Sequence, residues 1–289
     1  MKHIITLHYA TQHWFEIQKN HIEKYTTKKE DYIVYLATYK CDLPTNFTLP
    51  PNYKHIRLDD YVQNNNILIR NVHHEIIEYV YNIFVVKDCK DDDIIVYLDS
   101  DAFPCDYWEN KIEMYFNEHD IASVYRYEDI GPDLDKKYFP CPHLCFFSFI
   151  KEKKEKHKFV FDITPPFQCP GTSIRDVAEQ NNLKIKEMIR TNKFDLNRVM
   201  FGVYDDIIYH QSSGSRGVVG RPYKSGACGV DKSRHCFEGI DYLLRPAIPH
   251  DWINTKVGDI SLKIFDMVYD EIKNDNECTF IKKYFIGKP

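Results

Sequence analysis

The chain has 289 residues, of which 43% are hydrophobic and 28% charged, and its formal net charge is −5. This length and composition are typical of a folded protein with a sizeable core. The negative charge argues against a general nucleic-acid binder, which is usually basic. No stretch has the apolar length of a membrane span, and the N-terminal stretch is too short for a signal-peptide core. We therefore expect a cytoplasmic protein whose nine cysteines are mostly reduced thiols.

Strand and helix patterns alternate along the first third of the chain. Short apolar runs predict strands, and apolar residues at helical spacing predict helices. Three prolines between residues 42 and 53 predict a loop. The predicted strands are residues 4–8, 32–36 and 94–98, and the predicted helices are residues 14–25 and 72–86. Strands that alternate with helices predict an α/β fold built on a parallel sheet.

The remaining two thirds are less regular. Strands are predicted over residues 121–125, 144–150 and 207–210, and helices over residues 173–181 and 261–284. A Gly- and Ser-rich loop, QSSGSRGVVGRPYKSGACG, follows the strand that ends at residue 210. Because the composition does not shift sharply at any point, we predict one domain over residues 1–289.

Two carboxylates follow the strand predicted over residues 94–98. Asp99 and Asp101 are separated only by Ser100, and like charges this close repel unless a cation lies between them. Ligands of open α/β sheets bind at the carboxyl ends of the strands, and carboxylate oxygens suit Mg²⁺ or Mn²⁺. The pair therefore predicts a divalent metal site. The alternative is a polar turn that ends the strand without a metal.

A histidine and an arginine occur together much later in the chain. His210 ends a predicted strand, and Arg216 lies six residues further on in the Gly- and Ser-rich loop. A neutral histidine is a good ligand for Mn²⁺, while an arginine in a pliable loop can reach a phosphate oxygen. His210 is thus predicted to join Asp99 and Asp101 as a metal ligand. The alternative is a hydrogen-bonded core histidine.

These motifs resemble those of the metal-dependent nucleotide-sugar glycosyltransferases of the GT-A fold. The resemblance covers roughly residues 3–220 and depends on three features: Asp99-Ser100-Asp101 after a hydrophobic strand, the strand–helix–strand unit before it, and the basic loop after His210. It implies a Rossmann-type mixed sheet flanked by helices, with a helical C-terminal segment. Within the family, the glycogenin and lipopolysaccharide galactosyltransferase branch has Lys-Pro-Trp where this loop has Arg216, so the stereochemical outcome stays open.

The resemblance also implies a reaction and a division of the chain. A sugar would move from a nucleoside diphosphate, most simply UDP, to a hydroxyl of a glycan or another acceptor. Mn²⁺ or Mg²⁺ would bind to Asp101 and His210, and Asp99 would hold the ribose or bind the ion through water. Residues 1–102 would form the nucleotide-sugar-binding half, residues 103–255 the acceptor half and residues 256–289 a helical tail.

Further site residues follow from the same resemblance. Thr6, His8 and Tyr9 at the end of the first strand would hold the base, and Arg70 and His74 would contact the ribose or the diphosphate. An inverting enzyme also needs a carboxylate base. The candidates for that base, among which we favour Asp176 and then Asp162, are Asp162, Asp176, Asp195, Asp205 and Asp206.

Three other interpretations compete with the transferase. A haloacid-dehalogenase-type phosphatase also carries D-x-D after a strand, but there the motif usually opens the domain. A structural zinc site could use Cys141, His143 and Cys145 with His235-Cys236, although this crowded spacing fits a tetrahedron poorly. A non-catalytic sugar-binding module on the same scaffold is the third, because a fold does not fix a function.

Overall fold

The computed structural model describes residues 1–65, 72–90, 92–128, 137–140, 148–151, 178–193, 201–211 and 267–287. The chain divides into two compact units. One consists of Met1–Gln12, Thr26–Ser100 and Trp108–Ile189, and the other of His13–Tyr25, Asp101–Tyr107 and Arg190–Pro289. We refer to them as the large-sheet unit and the small-sheet unit. Which part of the chain binds a donor and which an acceptor stays a prediction.

Eleven strands lie within the described residues. They are β1 (Lys2–Tyr9), β2 (Tyr32–Tyr39), β3 (Tyr53–Arg57), β4 (Ile94–Asp99), β5 (Ala102–Pro104), β6 (Ile121–Glu128), β7 (Lys137–Pro140), β8 (Ser148–Lys151), β9 (Ile185–Met188), β10 (Gly202–Tyr204) and β11 (Ile208–His210). The labelled helices are α1 (Phe15–Tyr25), α2 (Asp59–Asn64), α3 (Val72–Val80), α4 (Val86–Asp88) and α5 (Glu109–Tyr115). A π-type segment, Tyr81–Val85, joins α3 to α4. Among the helices in the described ranges, none is long and apolar enough to cross a membrane.

The large-sheet unit contains a mixed sheet. Its strand order is β3-β2-β1-β4-β8-β6-β7, with β9 paired to β6. The four strands β3, β2, β1 and β4 are parallel, whereas β8 is antiparallel to both β4 and β6. Helix α3 packs against β1. The fold class expected from the sequence, α/β with a mixed sheet flanked by helices, is confirmed.

The core of this unit explains why the parallel strands form. β1 and β4 are buried along almost their whole length, as expected for parallel strands that are covered on both faces. Ile5 of β1, Tyr35 of β2 and Ile95 of β4 belong to one buried cluster with Ile76 and Val80 of α3. The apolar face of α3 is therefore buried against the sheet.

Some boundaries differ from those expected. β3 was not predicted: the loop predicted over residues 42–53 ends at its first residue, and only Tyr53 and Ile56 of this short strand are buried. The predicted helix over residues 72–86 continues to Asp88 through the π-type segment. A helix was predicted over residues 173–181. The structure describes its last four residues, and residues 178–180 are helical.

The small-sheet unit contains a three-stranded antiparallel sheet of order β10-β11-β5, against which α1 packs through β5. Its C-terminal segment is helical, but the single helix predicted over residues 261–284 is wrong in its described part. Residues 267–272 and Thr279–Ile281 are separate helical segments. Cys278 between them has a φ of 54°, a left-handed conformation that a right-handed helix does not accommodate.

Candidate metal centre

The chain turns immediately after β4. The strand ends at Asp99, Ser100 and Asp101 form a turn, and β5 begins at Ala102. Residues two positions apart along a strand share a face, so a metal site that uses both carboxylates does not depend on the strand ending at Asp99.

Asp101 is held beside His210 by strand pairing. Ala102 of β5 is opposite His210 of β11 in the antiparallel register, and the backbone N–H of Gln211 donates to the carbonyl oxygen of Asp101 at 3.0 Å. His210 Nε2 lies 3.2 Å from Asp101 Oδ1, and the two side chains are only 1% and 7% exposed. Two short strands distant in sequence thus fix a buried imidazole–carboxylate pair.

These residues fit a divalent ion. Asp101 and His210 each offer one ligand atom, and Asp99, two residues before Asp101 in the chain, is the predicted third ligand. Two carboxylate oxygens and one imidazole nitrogen form a donor set suited to Mn²⁺, and the carboxylates also suit Mg²⁺. Asp99 is the least buried of the three. Three protein ligands leave coordination positions for a substrate oxygen, as magnesium and manganese sites on phosphates commonly do.

A buried tyrosine next to the pair supports its geometry. The Tyr209 hydroxyl donates to Gln211 Oε1 at 2.5 Å. Burial, reinforced by the negative charge of Asp101, raises the pKa of Tyr209 well above its ordinary value. Tyr209 is therefore a neutral hydrogen-bond donor that orients Gln211, and Gln211 in turn holds the backbone of Asp101.

Two glutamines at this centre were missed by sequence reasoning. Gln211 has the contacts just described, and Gln18 of α1 donates from Nε2 to the carbonyl oxygen of Ala102 at 2.8 Å. Both side chains are buried. Gln18 did carry a signal, because it lies within the apolar stripe of α1, between Ile17 and His21. A polar residue on such a face needs a partner when it is buried.

The predicted base-binding residues lie at the end of β1. Thr6 and His8 are buried, and the ring of Tyr9 stacks on that of Tyr39 with centroids 5.5 Å apart. In the sheet register, Leu7 of β1 is opposite Asp99 of β4. The structure therefore places these residues at the same sheet edge as Asp99, and their contact with a nucleotide stays a prediction.

Other predicted site residues fall elsewhere. Arg70, Asp162, Asp176, Asp195 and Arg216 lie outside the described residues, as does the side chain of His74, whose backbone is in α3. The cysteines and histidines of the competing zinc hypothesis, Cys141, His143, Cys145, His235 and Cys236, also lie outside them. Their roles stay predictions.

Asp205 and Asp206 form the turn between β10 and β11. Their φ angles are 49° and 61°, and consecutive positive φ values are the mark of a tight hairpin turn, in which aspartate is a favoured residue. The Asp206 N–H donates to Thr191 Oγ1 at 3.0 Å. Turn geometry thus accounts for this acidic pair without a catalytic role, and its candidacy as a base stays untested.

No protein-family model matches the sequence, and no curated protein matches it either. Several solved structures are loosely similar. The crystal structure of S. aureus TarS 1–349 has a TM-score of 0.32 and 14% identity, covering 52% of this chain and 46% of that one. The galactosyltransferase LgtC, solved with donor and acceptor sugar analogues, has a TM-score of 0.37 and 12% identity, covering 62% and 65%.

The apo form of mouse xyloside xylosyltransferase 1 has a TM-score of 0.30 and 8% identity, covering 64% of this chain and 77% of that one. This chain thus spans about half the length of TarS 1–349 and 65% of LgtC.

Proposed function

We propose that this protein is a metal-dependent glycosyltransferase. It moves a sugar from a nucleoside diphosphate, most simply UDP, to a hydroxyl group of a glycan or a similar acceptor. The observation that carries the proposal is the buried pair of Asp101 and His210, with Asp99 two residues earlier at the end of a parallel strand. Such a donor set suits a divalent ion that also binds phosphate oxygens.

The charges of the substrate explain why this site suits the reaction. A nucleoside diphosphate is a poor leaving group because negative charge develops on it as the glycosidic bond breaks. Mn²⁺ or Mg²⁺, when bound by Asp99, Asp101 and His210, supplies positive charge that offsets this developing charge. Arg216 is proposed to add a second positive contact from the loop after β11.

The protein groups have separate tasks in this proposal. His210 presents an imidazole nitrogen, and Asp101 a carboxylate on a backbone whose carbonyl oxygen accepts from the Gln211 N–H. Asp99 presents a more accessible carboxylate for the ion or the ribose. Thr6, His8 and Tyr9 at the end of β1 border the base, with Arg70 and His74 on the ribose or diphosphate. If the reaction inverts the anomeric centre, Asp176 or Asp162 accepts the acceptor's proton.

A donor screen tests the proposal. The purified chain is incubated with a panel of nucleoside-diphosphate sugars in Mn²⁺, in Mg²⁺ or in EDTA, and the released nucleoside diphosphate is measured with and without simple glycoside acceptors. We expect release from one donor class, in metal only. Metal-dependent binding without turnover would instead indicate a sugar-binding module. Release of phosphate from a generic phosphomonoester, with no sugar release, would indicate the phosphatase.

A further inference from the structure

A second group of metal-ligand residues lies at the other end of the large sheet. His3 is near the start of β1, Asp93 directly precedes β4, and Cys89 directly follows α4. All three are buried, with 0%, 6% and 1% of their surfaces exposed. One ligand atom from each lies within 4.8 Å of the others. This His3–Cys89–Asp93 cluster is at the amino ends of the strands, whereas Asp99 is at the carboxyl end of β4.

The hydrogen bonds around His3 indicate which of its ring nitrogens faces Asp93 with a lone pair. The Tyr35 hydroxyl donates its single proton to Asp88 Oδ2 at 2.9 Å, so His3 Nδ1, 3.2 Å from the same hydroxyl oxygen, must be the donor in that contact. A neutral imidazole has only one N–H. His3 Nε2 then directs a lone pair at Asp93 Oδ2, only 3.0 Å away. Two electron-rich atoms at that distance require a proton or a metal ion between them.

The carboxylate of Asp93 is held in place beside His3 Nε2. Asp93 already accepts from the Met1 amino group at 2.8 Å through Oδ1 and from the Lys90 N–H at 2.8 Å through Oδ2, which holds its carboxylate in a fixed orientation.

We propose that His3, Cys89 and Asp93 bind a structural zinc ion. Imidazole nitrogen, thiolate sulfur and carboxylate oxygen are the three ligand types that zinc takes in proteins. A thiolate on Cys89 and the Asp93 carboxylate carry two negative charges, which balance Zn²⁺ and leave a neutral assembly that can be buried. Three protein ligands leave the fourth tetrahedral position to a water molecule or another donor.

The contacts behind the cluster match those that support a metal-bound histidine. Such a histidine usually donates its other ring N–H to a polar partner that fixes the tautomer. Here His3 Nδ1 contacts Tyr35, Tyr35 donates to Asp88, and Lys54 Nζ lies 2.5 Å from the same Asp88 oxygen. The ion would tie the starts of β1 and β4 to the end of the helix formed by α3 and α4. Its role is thus to stabilise the large-sheet unit.

Cobalt substitution tests this site separately from the candidate metal centre. The tag-free full chain is stripped of metal and titrated with Co²⁺, and the thiolate-to-cobalt charge-transfer band is followed in the near ultraviolet. We expect a band that disappears when Zn²⁺ displaces Co²⁺, because thiolate ligands favour Zn²⁺. Asp99, Asp101 and His210 include no thiol, so the band should persist in Asp101→Asn.

Paired cysteine variants identify the ligand. Cys89→Ser should lose the band, and Zn²⁺ should no longer raise its melting temperature. Cys41→Ser is the matched control, since this half-buried thiol donates instead to the His8 carbonyl oxygen, and it should keep both responses. Should Cys89→Ser fail to fold, Asp93→Asn and His3→Gln provide the same comparison through metal content and melting temperature.

Two results would overturn the zinc site. One is a chain that shows no thiolate–cobalt band, or a band that is unchanged in Cys89→Ser. The other is an NMR spectrum in which the His3 ring carries protons on both nitrogens at neutral pH with Zn²⁺ in excess. Either result would leave the cluster as a hydrogen-bonded ion pair of His3 and Asp93.

Discussion

His210 Nε2 lies 3.2 Å from Asp101 Oδ1, with both side chains buried, because β5 and β11 place the two residues beside each other. A metal ion bound here would therefore need both side chains as ligands. We expect Asp101→Asn and His210→Ala each to lower metal-stimulated donor turnover by more than about a hundredfold, since a bound ion supplies several kcal/mol of transition-state stabilisation. Initial rates at saturating Mn²⁺ measure the effect.

Asp106→Asn is the control for this pair. Asp106 is five residues from Asp101, but its carboxylate accepts from the neighbouring Tyr107 N–H at 2.9 Å. The turnover of the Asp106→Asn enzyme should therefore match the wild-type value. Circular dichroism establishes that each variant is folded. A His210→Ala protein with wild-type turnover and an unchanged Mn²⁺ response would remove His210 from the ligand set.

Ligand binding should stabilise the fold in a metal-dependent manner. UDP with Mn²⁺ at a hundred times the dissociation constant should add about 2.7 kcal/mol to the free energy of unfolding. UDP alone should add much less, because its diphosphate then meets the bare carboxylates of Asp99 and Asp101. Melting curves with UDP, Mn²⁺, both or neither measure this difference. Equal shifts with and without Mn²⁺ would contradict a bridging ion.

The first strands and helices were predictable because their patterns are local. β1, α1, β2 and β4 each follow an apolar run or a helical stripe, so their existence and type were predicted correctly. β3 was missed because two buried residues in a proline-flanked segment do not make a recognisable pattern. The break at Cys278 was missed because a left-handed residue is set by its backbone geometry, and cysteine does not signal that conformation.

The candidate centre shows the same division. Asp101 follows a predicted strand and His210 ends another, so both could be expected at strand ends, where ligands of such sheets bind. The contacts of Gln211 with Asp101 and Tyr209 could not, because they require the antiparallel register of β5 and β11, which lie about a hundred residues apart. A sequence pattern can show which residues end a strand. It does not show which residues of two distant strands pair with each other.

Gln211 and Tyr209 should be energetically coupled. Gln211→Ala removes the acceptor of a buried Tyr209 hydroxyl and should lower the free energy of unfolding by about 1–3 kcal/mol. Tyr209→Phe removes the donor as well, so the double variant should be more stable than the sum of the single losses predicts, by about 0.5–3 kcal/mol. Urea unfolding of the four proteins measures this coupling, and additive losses would show that the hydrogen bond contributes nothing specific.

Arg216 should act on turnover more than on donor binding. Its proposed contact strengthens as charge develops on the diphosphate, so Arg216→Ala should lower kcat by a larger factor than it raises KM. Arg216→Lys should restore part of kcat, because lysine keeps the charge and lacks the planar fork. Steady-state kinetics with the donor found in the screen provide both constants. An unchanged kcat in Arg216→Ala would make Arg216 a solvated loop residue.

Glu109 should make the stability of the large-sheet unit depend on pH. Its buried carboxylate accepts from the Thr27 N–H at 2.6 Å, from Thr27 Oγ1 at 2.5 Å and from Lys2 Nζ at 3.1 Å. Burial alone would raise the pKa of Glu109, but these hydrogen bonds outweigh it and hold the pKa below the ordinary value of 4.5. The stabilisation is therefore complete above that value and is lost as the pH falls through the folded-state pKa.

Glu109→Gln should accordingly lower the free energy of unfolding by about 1–3 kcal/mol near neutral pH. Its difference from the wild type should shrink as the pH falls below the ordinary value of 4.5 and through the lowered pKa of the wild-type Glu109 carboxylate. Glu113→Gln is the matched control, since Glu113 contacts the same Lys2 ammonium at 3.0 Å but is 53% exposed, and its loss should be about 0–1 kcal/mol. Urea unfolding across this pH range measures both variants. A Glu109→Gln deficit that stays constant with pH would show that the carboxylate charge is not what stabilises this contact.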